Sequence, residues 1–369
     1  MRRAPAPWFT VGFIVMSNFR LHLRRPQYSL KTLFLLVVVL SIPLAVWTHR
    51  EHQYRIQVAA YRVLRREGCR VEFQDELPGP GYRGKRWLNE NGRLQYDGDK
   101  ILQRDEVAIK VEAGHLRVVS DAILSAMSCF PTLKALEFHK SGITDAQLAE
   151  IAKLPFLKKL ILNDTGISDE GVRHLAAARS IRLLYLNGTR ISGAALAHIS
   201  SMGRLVRLDL DGDDIGDDAL GYLAELPRLR FLSLSDTRVT DNGLAALRLL
   251  KSLEDVSLDH CAISDAGLSR MGAFPRLTGL GLSGTGVTDK GLAALRGLSS
   301  LESLGLADCS ISDAGVEQLC AMKSLRTVNL MGTSVTAAGV ARLRAANPCM
   351  HVDGPEGTDP DEDDPEDPE

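Results

Sequence analysis

The chain has 369 residues, 45% of them hydrophobic and 24% charged, with a formal net charge of -2. Such a composition can build a sizeable core and excludes a collagen-like or wholly disordered polypeptide; the charge gives no bulk electrostatic reason to expect nucleic acid as a partner. With aromatic residues at only 5%, leucine and alanine have to supply most of the buried surface.

Charge is unevenly placed along the chain. The first 66 residues are basic, and inside them TLFLLVVVLSIPLAVWT, Thr32 to Thr48, runs seventeen residues without a charge between Lys31 and Arg50. That is the length of a minimal transmembrane helix, and Trp47 at its edge suits a membrane interface. A cleaved leader competes with this reading, but the basic region before the run is long and the exit IPLAVWTHR lacks a clear small-x-small site. The expectation is an uncleaved, single-pass membrane anchor over 32–48, preceded by a basic tail over 1–31, with the body outside the cytoplasm. Lys and Arg flank the run almost equally, so the topology rests on a short basic tail being harder to translocate than a folded domain. Met16 offers a second candidate start. Residues 49–108 then read as a juxtamembrane helix, Glu51 to Arg66, and an N-terminal cap region with a short strand, CRVEF, and the loop LPGPGYRGKRW.

From there a single period governs the chain. Leu133, Leu157, Ile181, Leu205, Leu229, Leu253, Leu277, Leu301 and Leu325 recur every 24 residues without insertion or deletion. Counting each as offset 0, offsets 3, 5, 10, 15, 18 and 21 are also apolar in all nine units, as in Leu232, Leu234, Val239, Leu244, Leu247 and Leu250. Offsets 3 and 5 alternate with polar or small residues, the period of a half-buried strand; offsets 15 and 18 belong to a helical stripe. Between them Ser or Thr at offset 11 and Asp at offset 12 (Asp145, Asp169, Asp217, Asp241, Asp265, Asp289 and Asp313) are placed to cap the helix that follows. The usual Gly at offset 14 leaves room for close packing. One such unit can hide its apolar residues only against its neighbours, so the array must stack.

The pattern LxxLxLxxTxITDxGLxxL resembles the leucine-rich repeat family of the ribonuclease-inhibitor-like type, over residues 133–348. The resemblance implies an α/β solenoid, a horseshoe with a parallel sheet on its concave side and helices on its convex side. Residues 109–132, with Ser120, Asp121 and Leu124 in phase, read as a degenerate leading repeat, and NPCMHV, Asn347 to Val352, as a closing strand, so the solenoid is expected over 109–352. The layout as a whole, YSLKTLFLLVVVL followed by a helix, REGCRVEF and TDxGL repeats, is similar to that of membrane-anchored leucine-rich repeat proteins of planctomycete bacteria. The last seventeen residues, 353–369, hold ten carboxylates and four prolines and read as an acidic, disordered tail.

Three motifs invite chemistry, and each has a plainer explanation. Gly279, Gly281 and Gly284 make a GxGxxG, but on the 24-residue ruler they fall in a solenoid strand and its exit turn, and no helix starts where a pyrophosphate would need it. The six cysteines form no CxxC pair, so no zinc or redox site is indicated; Cys261 and Cys309 occupy the usual Thr position as buried spacers, while Cys69 and Cys129 could pair near the N-terminal cap. Asp259, His260 and Cys261, with Ser235 and Ser283 in neighbouring units, suggest a triad, but Asp259 and His260 point to opposite sides of an extended chain. A lateral contact between Asp236 and His260 is the alternative there. The expectation is no enzyme, no cofactor and no metal.

The usable surface is the concave face, where units two to six present Ile161, Leu183, Tyr185, Arg207, Asp209, Asp211, Phe231, Asp255 and Asp259. Tyr185 and Phe231 flank Arg207, a combination that binding hot spots favour, and the surrounding carboxylates suit a basic or polar partner. The reading is a monomeric, non-catalytic interaction scaffold for a protein or peptide. Two alternatives stay open: a substrate-recognition subunit of a ubiquitin-ligase-like complex, for which no F-box segment is found in 49–108, and a structural cell-envelope protein.

Overall fold

The structure, a computed structural model, describes residues 30–75, 106–271 and 274–354. The residues before 30, the loop LPGPGYRGKRW and the acidic tail from 355 lie outside the described residues. The chain divides into two units, residues 1–56 and 57–369.

A continuous 37-residue helix, α1 (Leu30–Arg66), supplies the described part of the first unit and enters the second. The expected membrane anchor is overturned: among the described residues no helix is long and apolar enough to cross a membrane. The uncharged run stands at the lower limit for a span. Seventeen residues at about 1.5 Å each extend about 26 Å, against a hydrocarbon layer of about 30 Å, and the helix continues without a break into the charged stretch that ends at Arg66. The extracytoplasmic placement, which rested on the anchor, falls with it.

The second unit is built on one sheet of twelve strands whose spatial order is their chain order. They are β1 (Arg70–Asp75), β2 (Glu106–Glu112), β3 (Ala135–Glu137), β4 (Lys159–Ile161), β5 (Leu183–Tyr185), β6 (Arg207–Asp209), β7 (Phe231–Ser233), β8 (Asp255–Ser257), β9 (Gly279–Gly281), β10 (Ser303–Gly305), β11 (Thr327–Asn329) and β12 (His351–Asp353). β1 runs antiparallel to β2 and every later pair is parallel. Register is fixed by the 24-residue period, so that Leu160, Leu184, Leu208 and Leu232 stand side by side. Helices join the strands of the ladder, from Asp121–Ser128 to Ala337–Ala346. Two connections are irregular: a 3-10 helix, Asp217–Glu225, and a four-residue turn of helix, Leu244–Leu247.

Every apolar ruler position whose side chain is described is buried except Ala346. Leu160, Leu184 and Leu208 are fully hidden between sheet and helices, and each such side chain contributes about 1.5–3 kcal/mol by leaving water. At the leading end Tyr61, Leu64, Cys69 and Val71 are buried as well.

The Asp at offset 12 turns out to act across repeats. Its carboxylate reaches into the next unit and accepts both the backbone N–H and the hydroxyl at offset 11: Asp145 takes Ser168 at 2.9 and 2.6 Å, and Asp265 takes Thr288 at 2.8 and 2.6 Å. The same clamp joins Asp169 to Ser192, Asp217 to Thr240, Asp241 to Ser264, Asp289 to Ser312 and Asp313 to Thr336. The hydroxyl caps its own helix, as where Ser192 Oγ accepts the N–H of Ala194. Gly at offset 14 makes room for the incoming carboxylate; a Cβ on Gly291 would sit 2.4 Å from Asp265 Oδ1. Ala195, in the unit that receives Asp169, shows that a methyl there can be accommodated. Within the nine regular units one junction lacks the clamp entirely: Gly193 replaces the Asp, Gly216 the hydroxyl and Ala219 the glycine, and a Cβ on Gly193 would meet Ala219 Cβ at 2.7 Å.

A second register feature is the chain reversal after each strand. Offset 7 and its equivalent in the leading repeat adopt left-handed backbone in ten successive units, from His115 (φ 63°) and Lys140 (φ 52°) to Gly332 (φ 68°). Gly and Asp hold most of these positions, the residue types that tolerate this conformation.

Candidate functional site

On the face of the sheet turned away from the helices, the side chains one place before and one place after each buried Leu form two rows. Strand pairing sets Leu183, Arg207, Phe231 and Asp255 in one row, and Ile161, Tyr185 and Asp209 in the other. Arg207 lies between two rings, its guanidinium carbon 5.4 Å from the centre of Tyr185 and 5.8 Å from that of Phe231. Both distances are within cation–π range. Lys159 Nζ covers Tyr185 at 5.7 Å and Arg230 covers Phe231 at 5.4 Å. The rings are half-buried by these cations rather than standing free, as the sequence reading had them.

The carboxylates are largely spent inside the face. Arg207 Nε donates to both oxygens of Asp209, at 3.0 and 3.1 Å, and Asp209 is buried. Burial raises its pKa above the ordinary carboxylate value, and Arg207 offsets this only in part. Asp211 accepts the hydroxyl of Ser233 and the N–H of Ser235. Asp259 accepts the hydroxyl of Ser257 at 2.8 Å and the N–H of Ser283 at 2.6 Å. Of the four proposed selectors only Asp255 is exposed. It leans over Gly279, where a Cβ would lie 2.0 Å from its Oδ2, and partial desolvation raises its pKa. The glycines of GLGLSGTG are therefore a floor beneath neighbouring side chains, and the next helix begins only at Asp289.

The sequence reading missed an ionic network at the other end of the face. Lys110 Nζ meets Glu112 at 2.6 Å and Glu137 at 3.0 Å, and Lys159 meets Glu137 at 3.1 Å. Burial works against the charge of Glu137, but hydrogen bonds from Lys110 and Lys159 outweigh it and hold the carboxyl below its usual range. The signal was faint, since the leading strand departs from the ruler by one residue, pairing Glu112 with Glu137.

No triad forms around Asp259. Its oxygens are occupied as above, while His260, left-handed at φ 59°, sits over Gly284. All six cysteines are free thiols, so Cys69 and Cys129 do not pair. Burial pushes the Cys69 thiol up to about 12. Cys261 and Cys309 are buried and donate to the carbonyls of Leu234 and Leu282, both at 3.1 Å.

One family profile agrees with the repeat unit seen in the structure. The profile described as Leucine Rich repeat matches residues 153–176, 227–247, 250–272 and 297–320. The chain therefore contains leucine-rich repeats. Among solved structures it is similar to an internalin from Listeria monocytogenes, at 19% identity and a TM-score of 0.46 over 67% of this chain and 86% of that one. It is also similar to the mouse RP105/MD-1 complex, at 19% identity and a TM-score of 0.48 over 64% of this chain and 40% of that one. The plant peptide hormone receptor RGFR1 in complex with RGF2 is a third, at 17% identity and a TM-score of 0.38 over 57% of this chain and 34% of that one. No curated protein matches.

Proposed function

We propose that this chain is a non-catalytic, monomeric interaction module whose ladder, residues 109–352, holds a protein or peptide partner of basic character on the open face of its sheet. Tyr185, Arg207 and Phe231 are the anchors. Ile161 and Leu183 extend the apolar strip beside them, Asp255 is the exposed acidic selector, and Asp211 and Asp259 shape the rim. The observation that carries this reading is the clamped guanidinium, stacked between two rings and tied by Asp209. Aromatic and Arg side chains so fixed lose little freedom on binding, the condition under which contact energy becomes affinity.

The test is capture from cells by crosslinking, comparing the wild type with Tyr185→Ala/Phe231→Ala. The double variant should keep its circular dichroism and lose at least tenfold of the captured partner, the loss of two hot-spot residues at about 1–2 kcal/mol each. Equal capture by both proteins would reject this site.

A further inference from the structure

The geometry points to a transition-metal site at the leading edge of the ladder, formed by His115 and His139. Their Nε2 atoms lie 3.2 Å apart on residues one period apart. Metal–nitrogen bonds of about 2.0–2.1 Å meeting at about 90–109° place two imidazole nitrogens about 2.9–3.4 Å apart, so the separation suits two adjacent ligands of one ion. The rings stand at 87° with centres 4.6 Å apart, edge to face rather than stacked.

The pair is held in place by the backbone. His115 has left-handed φ of 63°, and its N–H donates to the carbonyl of His139 at 2.9 Å, so one hydrogen bond positions both residues. Gly114 leaves the space that the second ring fills: a Cβ there would lie 2.4 Å from His139 Cε1 and 2.7 Å from its Nε2. Equivalent positions at later junctions hold Lys140 with Asn163, Asp164 with Asn187, and His260 with Ser283, so two imidazoles meet only here among the described residues. His115 is exposed and His139 half-buried, which leaves the site open to solvent. Among the described residues no group of three or more His, Cys, Asp or Glu is placed to hold an ion. The protein would therefore supply two nitrogen ligands and water the rest, a donor set for copper(II) first and nickel or zinc next in the order of divalent affinities.

Calorimetric titration of the metal-stripped full chain with CuCl2, NiCl2 and ZnCl2 tests the assignment. Copper should bind with one equivalent above the background of the other seven histidines. His115→Gln and His139→Gln should each weaken that equivalent at least tenfold. Gly114→Ala keeps both ligands but displaces one ring, and should weaken it about tenfold, as lost support around a ligand does. Paramagnetic resonance of the copper form should show coupling to two nitrogens in the wild type and lose it in both His variants. Identical isotherms and spectra in wild type and both Gln variants would overturn the site, as would an equivalent that survives when both histidines are replaced.

Discussion

Replacing Asp213 by Thr should stabilise the protein, and only above acidic pH. Asp213 stands at offset 8, where Thr165, Thr237 and Thr285 donate their hydroxyls to the carbonyl at offset 5, each at 2.6 Å. An ionised carboxylate cannot make that bond. Asp213 is 4% exposed, its Oδ1 accepts the N–H and hydroxyl of Thr189 at 2.8 and 2.9 Å, and its Oδ2 has no partner. Burial pushes its pKa up to about 7, opposed by the bonds from Thr189 and reinforced by the charge of Asp211. In the unfolded chain the value is about 3.9. Because the folded value is the higher one, stability is greatest below about pH 4, falls as pH rises toward 7, and is level beyond that. Three pH units at 1.36 kcal/mol each bound the loss at about 4 kcal/mol, and screening by nearby solvent reduces this to about 2 kcal/mol. Urea unfolding of wild type and Asp213→Thr at pH 4.5 and pH 8 measures it, with hydrogen exchange at Thr189 and Leu210 as the local readout. The two proteins should be nearly equal at pH 4.5, with the variant ahead by about 2 kcal/mol at pH 8. A gap that is the same at both pH values, or that shrinks as pH rises, would refute the reasoning.

Other expectations follow from the ladder. Asp265→Ala should cost about 2–3 kcal/mol, since it removes two hydrogen bonds to a charged acceptor and leaves the Thr288 N–H unpaired; a double-mutant cycle with Thr288→Ala should show coupling above about 0.5 kcal/mol, and strict additivity would mean the clamp is idle. Leu208→Ala, at a fully buried position, should cost about 2–5 kcal/mol by denaturant titration. Gly188→Ala should destabilise by about 1–2 kcal/mol, as the residue is left-handed at φ 63° and its Cβ would lie 2.9 Å from Asp164 Oδ1. Gly166→Ala, with nothing within 4 Å of the added carbon, should be neutral or slightly stabilising by the same assay.

The leucines were legible because a strict 24-residue spacing admits few arrangements, and offsets 3 and 5 could face only inward. The placement of Arg207 and Phe231 on one face was legible for the same reason, since pleating puts them there wherever Leu208 and Leu232 are buried. What the sequence hid were directions. Asp at a helix start reads as a local cap, and only coordinates show it leaning toward the following unit. The carboxylates of Asp209, Asp211 and Asp259 read as solvent-facing because their Arg and Ser partners sit on the same or neighbouring strands, a proximity that spacing alone does not weigh. His115 lay outside the regular units, so its spacing of one period from His139 went unread. The membrane run was read from the composition of seventeen residues, while the helix that holds it is 37 residues long and runs on into a charged stretch.

The clamp also bears on how such an array could be rebuilt. Its carboxylate, its hydroxyl and the small residue beside them occupy two successive periods, so the exchangeable piece is a seam between repeats. A block transplanted from elsewhere in the ladder would fit only if both of its ends carried matching halves. The seam at Gly193, Gly216 and Ala219 has abandoned all three together, and grafting an Asp at Gly193 would bring its Cβ to 2.7 Å from that of Ala219, with no hydroxyl at Gly216 to receive the carboxylate.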